Sequence, residues 1–171
     1  MKTLHLDHGA DGIVTLTFDA AGAPVNTMSD DWRGEFAIAV MEIVEKKDQI
    51  KGVILASAKS TFFAGAELKS VLRLQPSDAP ACFEMAESIK RSFRALDTLG
   101  RPVVACINGT ALGGGFEITL AAHHRIALDN EKIQLGLPEV TLGLLPGASG
   151  VTKLTRLLGL QRAFPDRKSV V

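Results

Sequence analysis

The sequence predicts an α/β protein with a mainly parallel sheet, and three observations carry that expectation. Val53-Ile54-Leu55-Ala56 and Val103 to Ile107 are short apolar runs rich in β-branched residues, which read as buried strands. Between such runs lie long stretches with apolar residues three and four positions apart, the pattern of amphipathic helices. Strands that alternate with helices need crossover connections, and those favour parallel pairing. A chain of 171 residues is one domain's worth and can bury a proper core. There is no internal repeat and no low-complexity segment.

In chain order, Leu4 to Asp7 and Ile13 to Phe18 flank His8-Gly9-Ala10-Asp11-Gly12, which predicts a hairpin with His5 and His8 at its surface. Ala20 to Pro24 is rich in turn residues. Ser29 is placed to cap a helix, with Asp30 and Asp31 in its first turn and Trp32, Phe36, Val40 and Ile43 on its buried face. Lys46 and Lys47 fall near its C-terminus. After the strand around Val53, Asp78 is placed to cap a second helix, with Phe83, Ala86, Ile89, Phe93 and Leu96 on one face. Gly100 and Pro102 end it. The strand Val103–Ile107 then leads through Asn108-Gly109 into a helix over Gly113 to His123. Arg125 to Leu128 and Ile133 to Leu135 read as strands, Pro138-Glu139 as the start of a new unit, Gly143 to Gly150 as a loop and Val151 to Leu158 as a short helix.

Lys plus Arg and Asp plus Glu number 19 each, so net charge is zero. Binding to nucleic acid or to a membrane surface leans on cationic excess, and neither is expected. Cys82 and Cys106 lack metal-ligand spacing and read as buried free thiols in a reducing, cytoplasmic setting. Met1-Lys2-Thr3 runs straight into strand-like sequence, so no signal peptide is expected. No apolar run reaches the roughly 18 residues of a membrane span.

Two glycine-containing turns each follow an apolar strand, Ala64-Gly65-Ala66 and Gly113-Gly114-Gly115. Three successive glycines cost a helix roughly 1 kcal/mol each against alanine, which a chain accepts where backbone must approach a neighbour closely. Ligands of open α/β sheets bind beyond the carboxyl ends of the strands, so N–H groups of both turns could converge on one oxygen. Glu117 and Glu139 come from elements on the same side. Spacing alone also fits glycines that only allow close helix–sheet packing, with both glutamates in solvent.

Three motifs, F-F-A-G-A-E-L-K (62–69), I-N-G-T-A-L-G-G-G-F-E (107–117) and G-L-P-E-V-T-L-G-L-L-P-G (136–147), resemble in order and spacing those of the crotonase superfamily, nearest to enoyl-CoA hydratase/isomerase. The resemblance runs from Leu4 to about Phe164. P-V-N-T-M-S (24–29) is similar to the hydratase module heading multifunctional fatty-acid oxidation proteins, where a 3-hydroxyacyl-CoA dehydrogenase region follows; this chain has none. The resemblance implies the ClpP/crotonase fold, repeated β-β-α units on a mainly parallel sheet, here without its C-terminal helical part. It also implies a core over 1–164 and a non-matching tail over 165–171.

The resemblance further implies that the N–H groups of Ala66 and Gly114 hold a thioester oxygen. Glu117 and Glu139 would activate water and shuttle the α-proton. Ala64, Gly65, Ala66, Glu67, Leu68, Lys69, Gly113 and Gly114 would line the CoA thioester. No metal or redox cofactor is implied, coenzyme A being part of the substrate. The expected activity is 2-enoyl-CoA hydration in fatty-acid β-oxidation, since two acids suit hydration while one suffices for Δ3–Δ2 isomerisation. The alternatives are another crotonase-type acyl-CoA reaction or an inactive acyl-CoA-binding fragment. Expected partners are the acyl-CoA substrate and either copies of the chain, as trimer or hexamer, or a larger β-oxidation complex.

Some positions depart from the family pattern. Glu67 stands where the family more often has Asp, which matters little if the donor is backbone. Ser149 replaces a usual glycine and would be strained wherever φ must be positive; no histidine is placed to make it a nucleophile. His123 and His124 read as structural. Pro165 to Val171 reads as a truncation or a junction, which would leave apolar surface exposed.

Overall fold

A computed structural model describes residues 1–166; the reading of the tail beyond Asp166 lies outside the described residues. β1 (Leu4–His8) and β2 (Ile13–Phe18) form the expected antiparallel hairpin. β2 then pairs in parallel with β3 (Gly52–Ser57), β3 with β4 (Val103–Ile107), and β4 with β6 (His124–Ala127), giving a five-stranded sheet in the order β1-β2-β3-β4-β6. One antiparallel edge on an otherwise parallel sheet is the α/β arrangement expected. The helices are α1 (Asp30–Glu45), α2 (Leu68–Val71), α3 (Ala79–Asp97), α4 (Gly114–Ala121), α5 (Gly150–Leu158) and α6 (Leu160–Asp166).

Helix α1 starts where Ser29 Oγ accepts from Trp32 N at 3.2 Å, leaving one fewer orphaned donor at its N-terminus. Its buried face is Trp32, Phe36, Ala39, Val40 and Ile43. Trp32 and Phe36 stack at 4.6 Å, and both pack on Phe18, which also meets Phe62 and Phe63 edge-on. Phe93 of α3 closes this core against Phe36 at 5.9 Å.

Three expectations are corrected. Phe83 is 63% exposed, while Phe93 and Leu96 are buried. A 19-residue helix is about 28 Å long, and a five-residue strand such as β4 is only about 17 Å, so the start of α3 overshoots the core. Asp78 makes no side-chain cap for α3; its carboxylate accepts from Gln75 N at 2.8 Å and closes the 3-10 turn Pro76–Asp78 instead. Cys82 and Cys106 are free but only half-buried.

A second layer went unread in the sequence. β5 (Ala111–Leu112) and β7 (Leu135–Gly136) pair in parallel, so the strand expected over Ile133–Leu135 is shorter, shifted and outside the main sheet. Single parallel bridges extend this layer, Phe63 beside Ala111 and Met28 beside Ala66. Among the described residues no helix is long and apolar enough to cross a membrane.

Candidate active site

The short second layer brings the site together. Phe63 is level with Ala111, and Ala111 with Leu135. Just beyond these pairings the chain turns at Gly65, enters α4 at Gly114 and enters a 3-10 turn at Pro138, with Glu139 its second residue. Hydrogen bonds lock the layer, Leu112 N to Phe63 O at 3.3 Å and Gly113 N to Gly136 O at 2.9 Å. The two glycine turns therefore touch. A Cβ on Gly65, whose φ is +90°, would lie 2.7 Å from Leu112 O and 3.5 Å from Gly114 N; one on Gly115 would lie 2.2 Å from Phe63 O. Here glycine is required by contact as well as by backbone conformation.

Among the described residues, neither the Ala66 nor the Gly114 N–H has a backbone partner. Gly114 is the first residue of α4, where donors are orphaned and carry partial positive charge. Gly113 precedes it at φ +55°, and a Cβ there would sit 2.9 Å from Glu139 Oε1. Glu139 thus lies against the start of the glycine helix. Its Oε2 is buried with no hydrogen-bond partner among the described residues, and burial raises its pKa.

Glu117, in the first turn of α4, is 3% exposed. Its Oε1 accepts from Ala148 N at 2.8 Å and Gly150 N at 2.7 Å. Burial pushes its pKa up to about 7, against the pull of those two amides; Glu139 adds a smaller upward push. The opposing alternative, glutamates in solvent, does not hold for Glu117 and holds only partly for Glu139. Between the two clamping amides stands Ser149 at φ +90°, the strained position that its glycine-replacing residue implied.

Ala64, Ala66, Glu67 and Leu68 are exposed along the segment leading from the Gly65 turn into α2, where Glu67 accepts from Ser70 Oγ at 2.7 Å. Lys69 lies in α2, and its side chain is outside the described part. His123 is structural: Nδ1 accepts from Val103 N at 2.9 Å, which leaves Nε2–H to donate to Asp97 O at 3.1 Å. Sequence reasoning missed Met28, whose Sδ lies 2.7 Å from where a Gly114 Cβ would be. It also missed Asn26, buried among backbone groups, and the amides of Ala148 and Gly150. A polar Asn inside a turn-rich stretch was the available signal for Asn26; backbone donors leave none.

A separate cleft of about 810 Å³ lies between α3, the end of α4, the start of β6 and α5. Its cations are largely occupied, Lys90 with Glu87 and both Arg94 and Lys153 with Asp97. None of the residues expected to bind substrate lines it. No group of three His, Cys, Asp or Glu among the described residues is placed to hold a metal.

Comparison with known proteins places the fold. A crystal structure of an enoyl-CoA hydratase from Geobacillus kaustophilus superposes with a TM-score of 0.89 at 27% identity, covering 100% of this chain and 63% of that one. One from Bacillus anthracis gives 0.85 at 31%, covering 99% and 63%. These define the class: an α/β protein of the crotonase fold. The profile of the enoyl-CoA hydratase/isomerase family matches residues 8–164, and the chain belongs to that family. Among curated relatives, the fatty acid oxidation complex subunit alpha of Idiomarina loihiensis is 39% identical over 164 residues and that of Shewanella amazonensis 40% over 168. Each alignment covers 95% of this chain but only 23% of the relative's length.

Proposed function

We propose that the chain carries the site of a 2-enoyl-CoA hydratase acting in fatty-acid β-oxidation, within a core spanning residues 1–164. The observation that carries this reading is the pairing of two acids beside the glycine turns, Glu117 clamped by two amides and Glu139 against Gly113. Ala66 and Gly114 N–H would donate to the thioester oxygen, and the segment from Ala64 through Lys69, with Gly113, would lie along the CoA. As water adds at C3, one carboxylate takes its proton and charge moves onto the carbonyl oxygen. The other, protonated, then returns a proton to C2. Burial and mutual repulsion favour such a division of roles, because two close carboxylates resist being ionised together. Each oxyanion donor is worth about 3–4 kcal/mol and acid–base assistance roughly 10²–10⁴-fold. Neither step moves electrons to an acceptor, so the reaction calls for no redox cofactor, and the amides do the polarising a metal would otherwise do.

The test is loss of the enoyl-thioester absorbance with crotonyl-CoA. Glu117→Gln and Glu139→Gln should each reduce turnover by at least about 10²-fold, with acyl-CoA binding retained. Undiminished turnover in either variant removes that residue from the mechanism. Δ3–Δ2 isomerisation is the second reading, and the chain's membership of a hydratase/isomerase family favours it as a side activity; a 3-enoyl thioester assayed in parallel separates the two. The names of the curated relatives support assembly into a fatty acid oxidation complex.

A further inference from the structure

Asn26 is 1% exposed, a polar side chain surrounded by backbone. Its Oδ1 accepts from Ala20 N at 2.9 Å. Its Nδ2 faces Phe18 O at 3.2 Å, Ser57 Oγ at 3.0 Å and Phe62 O at 3.3 Å, so two N–H groups are shared among three acceptors. Its own carbonyl accepts from Ala64 N at 2.9 Å, and two residues on Met28 N donates to Gly65 O at 2.9 Å. One side chain thus ties the end of β2, the end of β3 and the segment 62–65, whose next amide is that of Ala66.

We infer that Asn26 is a positioning residue: it sets the direction of the Ala66 N–H by holding Phe62 and Ala64 at fixed distance from the ends of β2 and β3. The 62–66 segment has single bridges and backbone hydrogen bonds to Thr110 and Leu112 rather than a strand ladder, and Asn26 adds its tie to the ends of β2 and β3. Ser57 extends that brace, donating from Oγ to Thr61 O at 2.9 Å. The chemical consequence rests on the hydratase reading; the structural one does not. A donor that swings by about 1 Å can cost roughly 10²-fold in rate.

Asn26→Asp removes both donors and turns an anion toward two carbonyls, while Ser57→Ala leaves Asn26 its contacts with Ala20, Phe18 and Phe62 and removes the three hydrogen bonds of Ser57 Oγ, with Asn26 Nδ2, Thr61 O and Lys59 N. Amide exchange followed by NMR should accelerate selectively at Ala64 and Met28, with Val53 and Leu55 in β3 still protected. The carbonyl stretch of bound crotonyl-CoA should be lowered in the unsubstituted chain and return toward its free value in both variants. Hydration kcat should fall roughly 10–10²-fold with KM little changed. Exchange that is unchanged, or that rises equally in β3, overturns the inference, as does an undiminished carbonyl shift in both variants. No carbonyl shift in the unsubstituted chain, with selective exchange in the variants, leaves the brace standing and sinks the hydratase reading.

Discussion

Burial of Glu117 has a consequence for stability that can be separated from catalysis. Its pKa of about 7 lies above the ordinary carboxylate value of 4.5, so between those pH values the folded chain holds a proton that the unfolded chain has lost. The stabilisation from keeping Glu117 neutral is therefore full below pH 4.5, declines as pH rises, and is gone above about 7. The shift corresponds to about 3 kcal/mol. Glu117→Gln should flatten this dependence and stabilise the fold at pH 8 relative to pH 5, as read by urea melts at the two pH values. Equal melts for both proteins at pH 8 would place the carboxylate in a more solvated setting than the structure does. Ser149 tests the neighbouring loop. A serine at φ +90° carries about 1 kcal/mol or more of backbone strain, so Ser149→Gly should raise stability by about that amount. A loss on that substitution would mean the hydroxyl contributes more than the strain removes.

At the scale of elements, the glycines of the two turns matter through contact between layers. Gly65→Ala would combine a disfavoured φ with a Cβ 2.7 Å from Leu112 O, forcing the turn away from β5. It should destabilise by about 1–3 kcal/mol and weaken acyl-CoA binding, measured by titration calorimetry; unaltered affinity would detach the Gly65 turn from the substrate path. Most of the regular elements were legible from the sequence because their signals are local: Trp32, Phe36, Val40 and Ile43 fall on one helix face whatever surrounds them. The second layer was not, because β5 and β7 are two residues each and the Met28 and Phe63 pairings are single bridges. Strands that short have no periodicity to detect. Phe83 misled for the opposite reason: periodicity marks a helix face but not where the core beneath it ends.

Across the whole molecule, Phe18 links the main sheet to the site, meeting Trp32, Phe36, Phe62 and Phe63, with Trp32 and Phe63 also edge to face at 5.1 Å. Phe18→Ala should cost about 3–5 kcal/mol in urea-induced unfolding; a cost under 1 kcal/mol would show that the rings close over the gap. The paired glutamates were readable as candidates from the motifs, yet their environment was not. Ala148 and Gly150 supply backbone amides, which no residue letter announces, and Asn26 acts across more than thirty residues of chain. Leu142, Leu145, Leu157 and Leu160 are exposed.

The three parallel segments at Phe63, Ala111 and Leu135 lie far apart in the chain, and the clamp on Glu117 comes from a further stretch around Ser149. No one segment holds the candidate site. A piece containing any two of them would keep hydrogen-bonded strands and even a glycine turn, but not the juxtaposition of both glycine turns with both acids. The geometry of the candidate site is shared in this way: each of its rungs lies far from the others in the chain, and the arrangement exists only where all of them meet.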